Sequence, residues 1–139
     1  MNEAVINSIS DLTQDHLITS IKWISMMSSR DRWNLTAEEA AALLGEMEVE
    51  TYKEMRQRAE SDLSITMTPE TIERLSLLLG IWKALQLSLP IGRQDLAFKW
   101  FNKPNSSPLL QNKSIKDYLL ENNTLESFYV AKDYLNSNP

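Results

Sequence analysis

Apolar residues recur along this chain at three- and four-residue intervals, the spacing of one helix face. In the first stretch Ile9, Leu12, His16, Leu17, Ile21, Ile24 and Met27 fall in line with Trp23 beside them, which predicts an amphipathic helix ending near residues 28–33. Thr36 then stands three residues before Glu39 and ahead of an Ala-Leu run, the spacing of a capping box. Gly45 is the expected left-handed stop of that short helix. Helical character resumes over 49–59. Thr68 and Pro69 open the longest element, because proline suits the first helical position. Its apolar residues Ile72, Leu75, Leu78, Leu79, Trp82, Leu85 and Leu89 make a face wide enough for a central buried helix. The run 89–92 interrupts it, and 94–101 forms a further short helix. Ser114 with Asp117 caps a short helix through Leu119, and Thr124 caps a last one carrying Leu125, Phe128, Ala131 and Leu135.

The fold class expected is therefore all-α. Scarce glycine, few β-branched residues and abundant Leu, Ala, Glu and Met agree with it. A seam within 59–69 divides the chain into an N-terminal helical part, 1–62, and a second helical part, 63–139. With 42% hydrophobic and 24% charged residues, this is the composition of an ordinary globular protein. The net charge of -5 argues against sequence-blind binding to nucleic acid or to an anionic membrane. There is no cysteine, which removes disulfides, zinc-thiolate sites and thiol nucleophiles. The N-terminal stretch lacks the pattern of a secretory leader, and no apolar run approaches the ~18 residues of a membrane span. A cytoplasmic protein without a membrane partner is expected.

Catalytic chemistry has little to work with. The single histidine, His16, lies near the apolar face of the first helix and reads as a structural residue. Glu38, Glu39, Glu46, Glu48 and Glu50 cluster around Gly45, but such runs are usually solvated helix faces. No carboxylate or histidine spacing marks a metal site, and no glycine-rich phosphate loop occurs. The expectation is a non-enzyme with no cofactor, no catalytic residue and no metal ligand.

The segment 35–58 has the outline of a helix-turn-helix. Ala40 and Ala41 allow a close crossing, Gly45 makes the turn, and Tyr52 and Met55 face inward. The second helix would present Thr51, Lys53, Arg56 and Arg58 to DNA. Glu46, Glu48, Glu50 and Glu54 crowd the same region and repel phosphates, and the turn is one residue longer than usual. A plain helical hairpin used only for packing is the alternative.

The stretch 100–120 holds two of the 5 prolines in one loop between helical segments. Trp100-Phe101, Pro104-Asn105, the run Leu110-Gln111-Asn112-Lys113-Ser114-Ile115 and Asp117-Tyr118-Leu119 follow in order. This series, after the helix-turn-helix-like opening, resembles the Xre/MbcA/ParS-type antitoxins of bacterial type II toxin–antitoxin pairs. In that pattern a Trp and a Pro-Asn pair precede Leu-Gly-Gly-basic-Ser-Pro and a short capped helix. Gln111 and Asn112 stand where the family has glycines, Ile115 replaces a proline, and the loop after Asn105 is two residues longer. The resemblance runs from about Leu35 onward.

That resemblance implies an antitoxin that docks on a cognate toxin, a RES-type NAD-consuming protein or an ADP-ribosyltransferase-like one, and obstructs its active site. The toxin-binding residues it implies are Trp100, Asn102, Lys103, Asn105, Leu110, Asn112 and Lys113, with Tyr134, Asn136 and Asn138 of the C-terminal segment. It further implies operator DNA as a second partner, and a self-associating chain is expected because Trp82 and its neighbouring leucines exceed what so small a fold hides. Trp100 as a core residue and Asn105 as an internal cap of its loop stay open alternatives. So does a helix-turn-helix regulator without a toxin, or a small helical adaptor.

Overall fold

The computed structural model describes residues 13–89 and 92–137. All regular structure among them is helical. Helix α1, Gln14–Met27, begins at Thr13, whose hydroxyl accepts the His16 N–H while the His16 ring takes the Thr13 N–H. His16 thus completes a capping box on the exposed end of α1 and does not join the apolar face, as its spacing suggested. The buried stripe is Ile18, Ile21, Ile24 and Met27; Ile9 and Leu12 lie outside the described residues.

Helix α2, Ala37–Leu43, carries the expected box, with the Thr36 N–H on Glu39 at 2.9 Å and the Glu39 N–H on the Thr36 hydroxyl at 3.1 Å. Two left-handed residues end it, Gly45 at φ +119 and Glu46 at φ +58. Helix α3, Val49–Glu60, buries Tyr52, Met55 and Ala59 against α1 and α2.

Helix α4, Pro69–Leu87, is the longest, capped by Thr68 and started by Pro69. Its buried stripe is Thr71, Arg74, Leu75, Leu77, Leu78, Ile81, Ala84 and Leu85. That stripe is turned roughly a quarter of a helical turn from the one its leucines predict. Leu79, expected inside, is 41% exposed, and Ile72 and Trp82 sit at the margin. The turn follows from what flanks α4: α5, Gln94–Asn102, and α7, Leu125–Ser137, both pack on it. Between them run a 3-10 turn, Pro108–Leu110, and α6, Ile115–Glu121, which extends one turn-end beyond the expected Leu119 and touches α2.

One buried cluster runs through both parts of the chain. Its joint is aromatic: Trp33, wholly buried, stacks on Phe101 at 4.0 Å and meets Trp23 and Trp82 edge-on, while Trp82 stacks on Phe98 at 4.7 Å. Rings in such offset and edge-to-face contact contribute beyond their buried area. Trp82 is covered by this cluster from within the same chain.

A polar pattern accompanies the joint. Side chains of the second part donate to backbone carbonyls of the first: Asn102 to Trp33 at 3.0 Å, Lys116 to Asn34 at 2.8 Å, Thr71 to Leu44 at 2.7 Å, Arg74 to Leu43 at 3.3 Å and Asn123 to Ala42 at 2.7 Å. The last three serve carbonyls at the C-terminal end of α2, where the regular helix ladder stops, although Ala42 also accepts the Gly45 and Glu46 N–H groups.

Candidate functional site

The loop from Lys103 to Ser114 is built from its ends inward. The Asn105 N–H and side-chain amide both donate to the Lys113 carbonyl, at 3.1 and 3.3 Å, closing the loop on itself. Inside the closure, Gln111 donates to Pro108, Asn112 to Ser107 and Lys113 to Leu110, each at 3.0 Å. Gln111 and Asn112 both adopt the left-handed conformation, at φ +57 and +59. Asparagine tolerates that region better than most residues, and glutamine does so at a cost. Here Gln111 is also tied through its side chain to Asn122 and Lys113. Ser114, buried, accepts the Asp117 N–H at 3.0 Å and starts α6.

The expected contact residues divide sharply on this frame. Trp100 is 40% exposed, with the Lys103 ammonium 5.7 Å from its ring centre, so it is a surface aromatic and not a core one. Phe101, beside it, fills the core. Lys103, Asn112 and Asn136 are exposed; Tyr134 is half-buried and Asn138 lies outside the described residues. Leu110 is a correction: it is wholly buried, the apolar peg that pins the 3-10 turn, and offers a partner no surface. Leu109, one residue earlier, is the exposed one, at 62%. Asn102 is partly buried with its amide on Trp33, and Asn105 holds the loop closed. Lys113 pairs with Glu121 at 2.7 Å.

On α3 the four expected DNA contacts do not share a face. A helix advancing 100° per residue sets Thr51 and Arg58 on one edge and Lys53 and Arg56 on the other. The exposed ridge between the two edges carries Glu50, Glu54 and Gln57. Arg58 donates from Nε to the Ser64 carbonyl at 2.8 Å, and Lys53 pairs with Glu50 at 3.7 Å. Arg56 lies over the Tyr52 ring at 5.6 Å and lines a groove between α1 and α3 with Lys22, Ser25, Met26 and Glu60. Burial pushes the Tyr52 phenol above its ordinary value, although Arg56 pulls it down.

Residues that spacing alone did not single out sit behind both surfaces. Arg74, 4% exposed, and Asn123, at the α6–α7 junction, join the turn after α2 to the C-terminal helices. The one sequence signal was an arginine inside a leucine-rich helix face. Among the described residues no cluster of His, Asp and Glu could hold a metal ion, and no helix is long and apolar enough to cross a membrane.

Among the described residues the fold is all-helical, with the α2–turn–α3 pair in the first part of the chain and a loop closed by Asn105 in the second. No protein-family model matches the chain, and no solved structure matches it. The uncharacterized protein y4oB of Sinorhizobium fredii (strain NBRC 101917 / NGR234) is 30% identical over 107 residues, covering 77% of this chain and 75% of that protein. The chain belongs to the same family as y4oB.

Proposed function

We propose that this protein is an antitoxin that binds a cognate RES-type, NAD-consuming or ADP-ribosyltransferase-like toxin and obstructs its active site. The observation that carries the reading is the pair Gln111 and Asn112. The antitoxin pattern has two glycines at these positions, and here both residues take the left-handed backbone that glycine adopts most easily. The backbone shape that the glycines would confer is thus kept although the glycines are absent. Around it, a loop closed by Asn105 presents Leu109, and the adjoining end of α5 presents Trp100 beside Lys103, so little ordering entropy is lost on docking. The protein acts in the cytoplasm, without an enzymatic activity of its own, and self-associates through the exposed Leu79 and Leu87 of α4, Trp82 being covered within the chain.

Capture from source cells tests the reading, with the intact chain as bait beside a version ending after Leu120. The expected result is one small protein retained by the intact chain alone, whose NAD consumption stops when the chain is added back. A captured protein whose NAD turnover is unchanged by the chain would overturn it. The second reading, a helix-turn-helix regulator without a toxin, rests on the box-capped α2, the Gly45 turn and α3. It requires DNA affinity that falls steeply with salt, and the Glu50–Glu54 ridge of α3 opposes it.

A further inference from the structure

Asn123 is bonded in two directions at once. Its side-chain oxygen accepts from the Arg74 guanidinium, and its carbonyl accepts a second Arg74 N–H at 3.3 Å. Its amide hydrogens go the other way, to the Ala42 carbonyl at 2.7 Å and the Glu46 carboxylate at 2.8 Å. Arg74 in turn donates to the Leu43 carbonyl, lies 3.5 Å from the Glu70 carboxylate and stacks over Phe128 at 5.0 Å. The turn after α2, the centre of α4 and the α6–α7 junction therefore meet in one polar network around the buried Arg74.

The turn end of that network is a held conformation. Glu46 is a non-glycine residue at φ +58, a region that side chains with a Cβ enter at a cost. Its carboxylate is tied to Asn123, a residue 77 positions away, and the next residue starts the approach to α3. Gly45, just before it, faces Glu70, Thr71 and Arg74 so closely that an added Cβ would stand 3.3 Å from the Glu70 carboxylate. Locally the turn is held by backbone bonds from Glu46 to Ala42 at 3.0 Å and from Met47 to Ala41 at 3.1 Å, and the tie from the far end of the chain adds to them.

We propose that Asn123 and Arg74 form a conformational coupling through which the α6–α7 junction sets the shape of the α2–α3 turn. Displacing the junction removes both amide hydrogens from the turn. Glu46 then keeps only its local backbone bonds, leaves the left-handed region more often, and α3 shifts its start relative to α2 when it does. Arg74 keeps its Leu43 and Glu70 contacts, so the buried charge is not stranded by the change. A two-position turn held by a distant side chain is the kind of bistable element that carries a signal, and the coupling is reciprocal by linkage. It holds whatever binds at either surface, and so stands or falls apart from the antitoxin reading.

Residue-resolved amide hydrogen exchange on the full chain tests it without any partner. Asn123→Asp keeps the oxygen that faces Arg74 and deletes the hydrogens that reach the turn. Exchange at the Glu46 and Met47 amides, bonded to Ala42 and Ala41, is expected to rise ~10-fold or more, with Leu78 and Ile81 held within about twofold. From the other end, Glu46→Ala is expected to raise exchange at Thr124 and Phe128 in the junction, whereas Glu46→Gln, which keeps an acceptor oxygen, behaves as the parent. Asn122→Ala is the control, since its side-chain bonds reach only Gln111 and Tyr118; the turn should not respond to it. Unchanged protection at Glu46 and Met47 in Asn123→Asp, or an equal response of the turn to Asn122→Ala, would overturn the coupling. If Asn123→Asp does not fold, the Glu46→Ala and Glu46→Gln pair decides the matter alone: no response at the junction sinks the proposal.

Discussion

Trp33 and Phe101, 68 positions apart, lie ring on ring at 4.0 Å with their planes 10° apart and both wholly buried. One comes from the connection before α2 and the other from α5, so the contact is made only when both parts of the chain are folded. Truncation of such a ring costs about 3–5 kcal/mol in a closed core. Phe101→Ala is expected to destabilise by that amount in urea unfolding, and Phe101→Leu by clearly less. A fragment of residues 1–62 should show no cooperative melt, because Trp33 loses Phe101 and Trp82, and the carbonyls of Asn34, Ala42, Leu43 and Leu44 lose their side-chain donors with the second part. A sharp two-state melt of the fragment would contradict this account of the seam.

Trp100 and Leu110 separate docking from folding. Leu110→Ala opens a cavity at a wholly buried site and is expected to cost about 2–4 kcal/mol. Trp100→Ala removes a ring that is already 40% exposed and should move stability by about 1 kcal/mol or less. In a capture assay the order reverses: loss of Trp100 weakens partner retention ~10-fold or more, as for an aromatic anchor. Thermal melts and pull-downs of the two variants, side by side, check both halves of the statement.

Asn112 reports the backbone shape of the loop. At φ +59, Asn112→Ala keeps the Cβ but loses the short amide that lets asparagine tolerate the left-handed region, and is expected to destabilise by about 1 kcal/mol, while Asn112→Gly is close to neutral. Equal effects of the two substitutions in chemical denaturation would mean that the conformation does not matter.

Tyr52 predicts the alkaline behaviour. Its folded phenol is raised above the unfolded value near 10 by burial, so the folded state favours the neutral form. That contribution is fully present below pH ~10 and is lost as pH rises through the higher folded value. Tyr52→Phe should flatten the decline of stability above pH ~10. Near neutrality it should change little, since the hydroxyl makes no hydrogen bond of good geometry. Melting temperatures across pH 8–11 for parent and variant test the sign.

Capping chemistry and periodicity made most of the helices legible. Thr36-Glu39, Thr68-Pro69, Ser114 and Thr124 all open helices where their side chains suggested, because capping is decided within a few residues. Which face of α4 is buried was not legible. Leucine spacing centres the stripe near Leu75, Leu79 and Trp82, yet tertiary packing by α5 and α7 brings in Leu77 and Ile81 and leaves Leu79 outside. His16 misled for a related reason, since its helical register matched the apolar face while its ring was taken by the cap. In the loop, spacing could not distinguish Leu109 from Leu110; only the 3-10 turn assigns one outward and the other to the core. The pairing of Arg74 with Asn123, 49 positions apart, leaves no local trace beyond an arginine set among leucines.

Five of the bonds that cross between the two parts share one form: the second part contributes a side-chain donor and the first a backbone carbonyl. A carbonyl is present whatever residue occupies the position, so in these five bonds the acceptor is indifferent to sequence, unlike the Glu46 carboxylate that also meets Asn123. The donor side is not, because Asn102, Lys116, Thr71, Arg74 and Asn123 each supply a group of a particular length and polarity. Substitution should therefore be borne unevenly across the contact. Positions 34, 42 and 44 can vary without breaking these bonds as long as the backbone path is kept. Recombining the N-terminal part with a foreign second part would fail unless the five donors travelled with it.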